Sequence, residues 1–127
     1  MKKAIADLWI KALRSGKYKQ GKTELCVVNG KNVKYDALGL LCHILKIGYK
    51  VKHNSLDNIK IKAYGEYGGI SSIGECSLPD IVREISGIKT PLGYIPSLRD
   101  KIATMNDRGK SFKEIADVIE KYWRELW

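Results

Sequence analysis

An amphipathic helix at each end of this chain constrains its fold more than anything between them. Near the N-terminus Ile5, Leu8, Trp9, Ala12 and Leu13 fall at i, i+3, i+4, i+7 and i+8, so the spacing predicts a helix from Lys3 to Arg14 with one apolar stripe. Near the C-terminus Phe112, Ile115, Ile119, Tyr122, Trp123 and Leu126 form a second stripe. It follows a Ser111–Glu114 capping box, in which each side chain answers the other's free backbone N–H. Helices this short are marginal alone in water, and the last is expected to pack on the first. Trp9 and Trp123 lie within the stripes and read as core or interface rings rather than ligand platforms.

The intervening sequence supplies a sheet and a second layer. Ser15-Gly16 ends the first helix, since glycine takes the left-handed conformation there. Leu25 to Val28 and Val33 to Tyr35 flank Asn29-Gly30-Lys31-Asn32, a hairpin signal. Asp36 caps a following helix that runs to about Leu45 or Lys46. Its Leu38, Leu41, Cys42 and Leu45 make it the central buried helix, with Gly48 at its end. Ile59 to Tyr64 alternates apolar and polar residues like a strand, and Gly65, Gly68, Gly69 and Gly74 make the next stretch a loop. Pro79 opens a short helix to Ser86-Gly87. After the loop Thr90 to Pro96, a helical piece is expected over Ser97 to Met105. The sum is a single α+β domain over residues 1–127, with terminal helices around a short hairpin or small antiparallel sheet. With 127 residues and 44% hydrophobic side chains, such a domain buries a core without disulfides or metal.

Several function classes lack their signatures. The longest apolar run, Ala37 to Leu45, is interrupted by Gly39 and His43 and falls far short of the roughly 20 residues that span a bilayer. Asp7, Lys11 and Arg14 leave no apolar core for a signal peptide behind Met1-Lys2-Lys3, so a soluble cytoplasmic protein is expected. Cys26, Cys42 and Cys76 include no close metal-ligand pair, and with His43 and His53 as the only histidines they read as buried thiols without a metal. Cys42 and His43 are neighbours, and neighbours on a helix point about 100° apart, which argues against a nucleophile–base pair. No Ser/His/Asp set, HExxH motif or acidic metal cluster is present, so no enzymatic activity and no cofactor are expected.

Charge narrows the partners. Residues 1–62 hold 14 Lys and Arg against 4 Asp and Glu, whereas residues 63–127 hold 9 against 10. Many of these cations lie in a loop where Arg14, Lys17, Lys19 and Lys22 interleave with Tyr18, Gln20 and two glycines. Cations for phosphate, a ring for a base and an amide for polar edges suit a small anionic nucleotide. Tyr35 is a second candidate ring. The same loop would also serve as a solvated, solubilising surface. A second candidate is the turn holding Asn106, Lys110 and Ser111, where the free N–H groups of a helix start can accept an anion. Gly109-Lys110-Ser111 is not a Walker motif, because Thr104 stands where its first glycine belongs.

Four blocks of the chain resemble a known group. Trp9-Ile-Lys-Ala-Leu-Arg-Ser-Gly-Lys-Tyr-Lys-Gln20 with Tyr35-Asp-Ala-Leu-Gly-Leu-Leu-Cys42 resembles the opening of a family of small tailed-phage and prophage proteins. Leu78-Pro-Asp-Ile-Val82 and Met105-Asn-Asp-Arg-Gly-Lys-Ser-Phe-Lys-Glu-Ile-Ala-Asp-Val-Ile-Glu120 resemble its closing half. Members often carry paired cysteines before Leu-Gly-Leu-Leu-Cys, where this chain has Asp36-Ala37, so the resemblance implies no thiol or metal chemistry here. It implies a phage protein that acts on host machinery, an anti-defence role by analogy. The expected function is therefore sequestration, without cleavage, of a small anionic, cyclic nucleotide signal by a homo-oligomer in the host cytoplasm. A nucleic-acid-binding accessory protein and an inhibitor of a host protein are the alternatives.

Overall fold

The first helix, α1 (Lys3–Arg14), has the predicted bounds, and Gly16 follows at φ +73°. The computed structural model describes residues 1–29, 31–46, 49–53, 59–62 and 77–126. Its buried face differs from the predicted stripe. Ala6, Trp9, Ile10 and Leu13 are buried, whereas Leu8 is 53% exposed. The reason is that α1 is flanked on two sides, by the central and the C-terminal helices, which widens and turns its buried face.

The sheet is larger than one hairpin. Strands β1 (Lys19–Gln20), β2 (Cys26–Asn29), β3 (Asn32–Tyr35), β4 (Tyr49–His53) and β5 (Ile59–Lys62) lie in the order β1-β3-β2-β4-β5. The β2–β3 and β4–β5 pairs are antiparallel, while β1 joins β3 and β2 joins β4 in parallel, so the sheet is mixed. Lys19-Gln20, expected as loop, is thus an edge strand. The register Asn29↔Asn32 leaves two residues between the hairpin strands. The expected end of the β5 strand at Tyr64, the glycine-rich loop, Gly48 and Cys76 lie outside the described residues.

The helix α2 (Ala37–Ile44) is the central one, with Ala37 through Cys42 all buried. The Asp36 carboxylate accepts from the Gly39 N–H at 2.6 Å, and the Trp9 indole donates to the Ala37 carbonyl at 2.9 Å. Gly39 admits the hairpin: a Cβ there would stand 1.6 Å from the Leu25 carbonyl oxygen. Glycine is required for contact, not for backbone angle.

The remaining helices close the core. Pro79 precedes α3 (Asp80–Ser86), which ends at Gly87 with φ +80°. The helical piece expected over Ser97 to Met105 is broken. A 3-10 turn at Pro96–Leu98 is followed by β7 (Asp100–Lys101), paired with β6 (Tyr94–Ile95), and then by α4 (Ile102–Asp107). Arg99 interrupts the helix at φ +49°, and the Ile102 and Ala103 N–H groups bond back to the Gly93 and Leu92 carbonyls. The last helix, α5 (Phe112–Tyr122), starts with both arms of the capping box formed and packs along α1. Phe112, Ile115, Ile119 and Leu126 are buried as predicted, and Tyr122 and Trp123 are half-buried. Trp123 falls in a terminal 3-10 turn. Among the described residues no helix is long and apolar enough to cross a membrane.

Gly39→Ala is expected to lose about 3 kcal/mol or more in urea unfolding, because backbone rather than a flexible side chain occupies the Cβ position. Gly16→Ala, with open space around it, should lose only about 1 kcal/mol from its left-handed backbone. Burial pushes the Asp36 carboxyl up to about 7, against the opposing Gly39 hydrogen bond and with help from nearby Asp107. A folded-state value above the unfolded one means stability is fullest in acid and is lost as pH rises through about 7. Asp36→Asn keeps an acceptor for Gly39 and should flatten that decline, which is on the order of 2–4 kcal/mol between pH 4 and pH 8, in denaturant titrations at several pH values.

Candidate functional site

The basic loop is fixed at both ends before any ligand is considered. At one end the Arg14 guanidinium bonds Asp117 at 2.7 Å and Glu120 at 2.5 Å, tying α1 to α5. These two carboxylates hold Arg14 more firmly in its charged form. At the other end β1 lies against β3 with Lys19↔Lys34 and Gln20↔Tyr35 in register, and the Gly21 N–H donates to the Tyr35 carbonyl at 2.7 Å.

Strand alternation then sends Gln20 inward. Its amide nitrogen donates to Asn106 Oδ1 at 2.8 Å and to the Lys110 carbonyl at 2.7 Å, while its oxygen accepts from the Phe112 N–H at 3.1 Å. Asn106 is fully buried. Its oxygen also accepts from the Ala37 N–H at 3.1 Å, and its nitrogen donates to the Gly21 carbonyl at 2.9 Å. Asp107 adds a bond from the Thr23 N–H at 2.7 Å. The basic loop and the Asn106–Ser111 turn therefore do meet, but they meet by bonding to each other.

This divides the ten candidate residues. Arg14, Gln20, Asn106 and Ser111 are committed to internal partners, Ser111 through the Glu114 N–H at 3.2 Å. Ser111 in turn draws the Glu114 carboxyl below its ordinary value, through its backbone N–H first. Lys110 contributes its carbonyl to Gln20, and exposed Lys22 accepts through its carbonyl from the Glu24 N–H. Lys17, Tyr18, Lys19 and Tyr35 converge elsewhere. With Lys31, Asn32 and Val33 they line an open hollow of about 260 Å³.

The hollow is cationic and aromatic. Lys17, Lys19 and Lys31 are exposed, and Lys19 Nζ reaches Asn32 Oδ1 at 3.2 Å. Among the described residues none of the three ammonium groups has an ion-pair partner, unlike Lys3, Arg14, Arg83 and Arg108. Tyr35 is 5% exposed, and its hydroxyl lies 3.2 Å from His43 Nδ1. It forms a wall rather than a stacking surface. Tyr18 is half-buried and meets Tyr35 and His43 edge-on, with ring centroids 6.0 and 5.5 Å away. Cys42 is fully buried, and burial pushes its thiol well above the ordinary range, which removes it as a nucleophile at neutral pH.

Lys31, Asn32 and Val33 were not legible as site residues. The sequence marks them as a turn and strand, and only the pairing of β1 with β3 carries them to Lys17 and Lys19.

The fold and hollow define a small α+β domain with a lysine-lined, tyrosine-walled recess on a sheet edge. The chain belongs to the family described as Domain of unknown function (DUF8296), whose model matches residues 1–123. No curated protein and no solved structure matches it.

The committed and uncommitted residues should separate in unfolding experiments. Asn106→Ala strands the Ala37 N–H and the Gly21 carbonyl, and is expected to lose about 3 kcal/mol. Arg14→Ala removes exposed ion pairs and should give a smaller loss that vanishes at high salt. Lys17→Ala and Lys31→Ala should leave the unfolding midpoint essentially unchanged.

Proposed function

We propose that this protein is a non-enzymatic binding module that holds a small anionic nucleotide in the Lys17–Lys19–Lys31 hollow. The observation that carries this reading is the convergence of three lysines that have no ion-pair partner among the described residues, from two segments of the chain, beside one half-buried tyrosine. Gathering like charges without counter-charges is unfavourable in the empty protein and is reversed when an anion enters. Lys17, Lys19 and Lys31 would meet phosphate oxygens, Tyr18 would face the base, and the Asn32 amide would donate to a phosphate or ribose oxygen. The absence of a motif-borne nucleophile or general base from the sequence favours holding the ligand over cleaving it.

The resemblance to small phage and prophage proteins gives this chemistry a setting. A phage protein that removes a nucleotide signal of host defence from the cytoplasm needs charge, a flat ring and no catalysis. A hollow of about 260 Å³ is below the roughly 300–1,000 Å³ that encloses a drug-sized ligand, so a cyclic di- or trinucleotide would be shared between copies of the chain.

Nucleic-acid binding is the second reading, favoured by exposed Lys34 beside Lys19 on the same sheet edge. The two differ in salt dependence and in length. Cyclic dinucleotides, cyclic trinucleotides and ADP-ribose derivatives should be screened by thermal shift, with single-stranded and duplex DNA and RNA alongside. We expect at least one small nucleotide to raise the melting temperature and to be recovered intact after denaturation. Lys17→Ala or Lys31→Ala should weaken it about tenfold, the value of one charge-assisted contact. Stabilisation by long strands alone, with steep salt dependence, would transfer the hollow to the nucleic-acid reading.

A further inference from the structure

A second hollow adjoins the first. Lys17 and Tyr18 belong to both, and on the far side a recess of about 210 Å³ is lined also by Leu8, Lys11, Ala12, Ser15 and Ile44. The two differ in character. The first is ringed by ammonium groups and the Asn32 amide, and the second is floored by aliphatic side chains from α1 and the end of α2.

Leu8 is the anomaly of α1. It is one of two large hydrophobic side chains standing exposed among the described residues, at 53%, although the helix has a buried face to take it. A lone exposed leucine means little by itself. Here it lies in a recess whose other apolar walls, Ala12 and Ile44, are half-buried, and whose boundary is the ring that also bounds the phosphate-suited hollow. Neither recess alone reaches the roughly 300 Å³ at which pockets enclose a drug-sized ligand. A phosphate needs the first, and a flat apolar group needs the second.

We propose that one copy of this chain reads a single nucleotide unit across Tyr18, with the phosphate on Lys17, Lys19 and Lys31 and the base on the Leu8–Ala12–Ile44 side. This rests on the nucleotide-binding reading and adds its polarity and stoichiometry: one base and one phosphate per copy. Lys17, common to both recesses, sits where base and phosphate join. A cyclic ligand would then engage as many copies as it has nucleotides. Burying one base face against aliphatic walls and the tyrosine supplies selectivity over phosphate alone, since removing apolar area from water is favourable.

The test compares the full chain binding adenosine 5′-monophosphate, guanosine 5′-monophosphate and ribose 5-phosphate, by calorimetry or NMR titration at low salt. At least one nucleoside monophosphate is expected to bind about tenfold or more tightly than ribose 5-phosphate. Leu8→Gln, at a position exposed enough to spare the fold, should collapse that ratio to within about twofold. Lys31→Ala should weaken all three ligands by a common factor and preserve the ratio. Equal binding of ribose 5-phosphate and both nucleotides overturns the inference and leaves the nucleotide hollow standing. A base preference that Leu8→Gln does not touch overturns it too. If no phosphate compound binds, cyclic dinucleotides included, the inference and the reading beneath it fall together.

Discussion

The rest of this structure depends on one amide pair, half-buried Gln20 with fully buried Asn106. Between them the two side chains satisfy four backbone groups in three segments: the Ala37 N–H at the start of α2, the Gly21 carbonyl after β1, and the Lys110 carbonyl and Phe112 N–H at the start of α5. A buried polar group is costly without partners, and a satisfied network in a dry interior is stronger than its bonds taken singly. The pair therefore acts as a specificity device. No apolar substitute would place the α5 helix start, the sheet edge and the central helix in one mutual register.

The second constraint is the absence of a side chain at Gly39. The backbone at Leu25, just before β2, lies against α2 so closely that no Cβ fits, and this lets the buried stretch Ala37 to Cys42 sit against the start of the hairpin. Asp36, just before it, caps the helix from a buried position and is left with one oxygen that finds no donor among the described residues. Its raised affinity for a proton follows from the same close packing. Tight approach at Gly39 and unsatisfied charge at Asp36 are two consequences of pressing one helix end into the core.

Much of the framework was legible because its signals are local. Capping at Ser111 and Asp36, helix closure at Gly16 and Gly87, and the β2–β3 hairpin each depend on residues a few positions apart, and a single sequence carries them. The site was less legible because its assignment depends on pairing across the chain. Gln20 and Asn106 in loop-like segments read equally well as ligand contacts, and only burial, 86 positions apart in sequence, shows them to be each other's partners. Leu8 illustrates the converse. Helical spacing placed it in the core stripe, but which flank of a stripe faces solvent is decided by the directions from which other helices arrive.

The two-residue strand β1 explains how framework and candidate site coexist in so short a segment. Alternation along a strand sends adjacent side chains to opposite faces, so Gln20 is drawn into the amide network while Lys19 remains exposed beside the hollow. The same division runs back through the loop. Arg14 and Ser15 bond α5 and the end of α1, and Gly16 supplies the turn, whereas among the described residues Lys17 has only its backbone N–H engaged, by Ser15. Residues that build the domain and residues left exposed at the hollow thus interleave almost one by one. Substituting Lys17 or Lys19 leaves the amide pair, the Arg14 clamp and the sheet edge untouched. This fold can therefore change the cationic rim of its hollow without altering how it folds, because Lys17, Lys19 and Lys31 are exposed side chains that the core does not use.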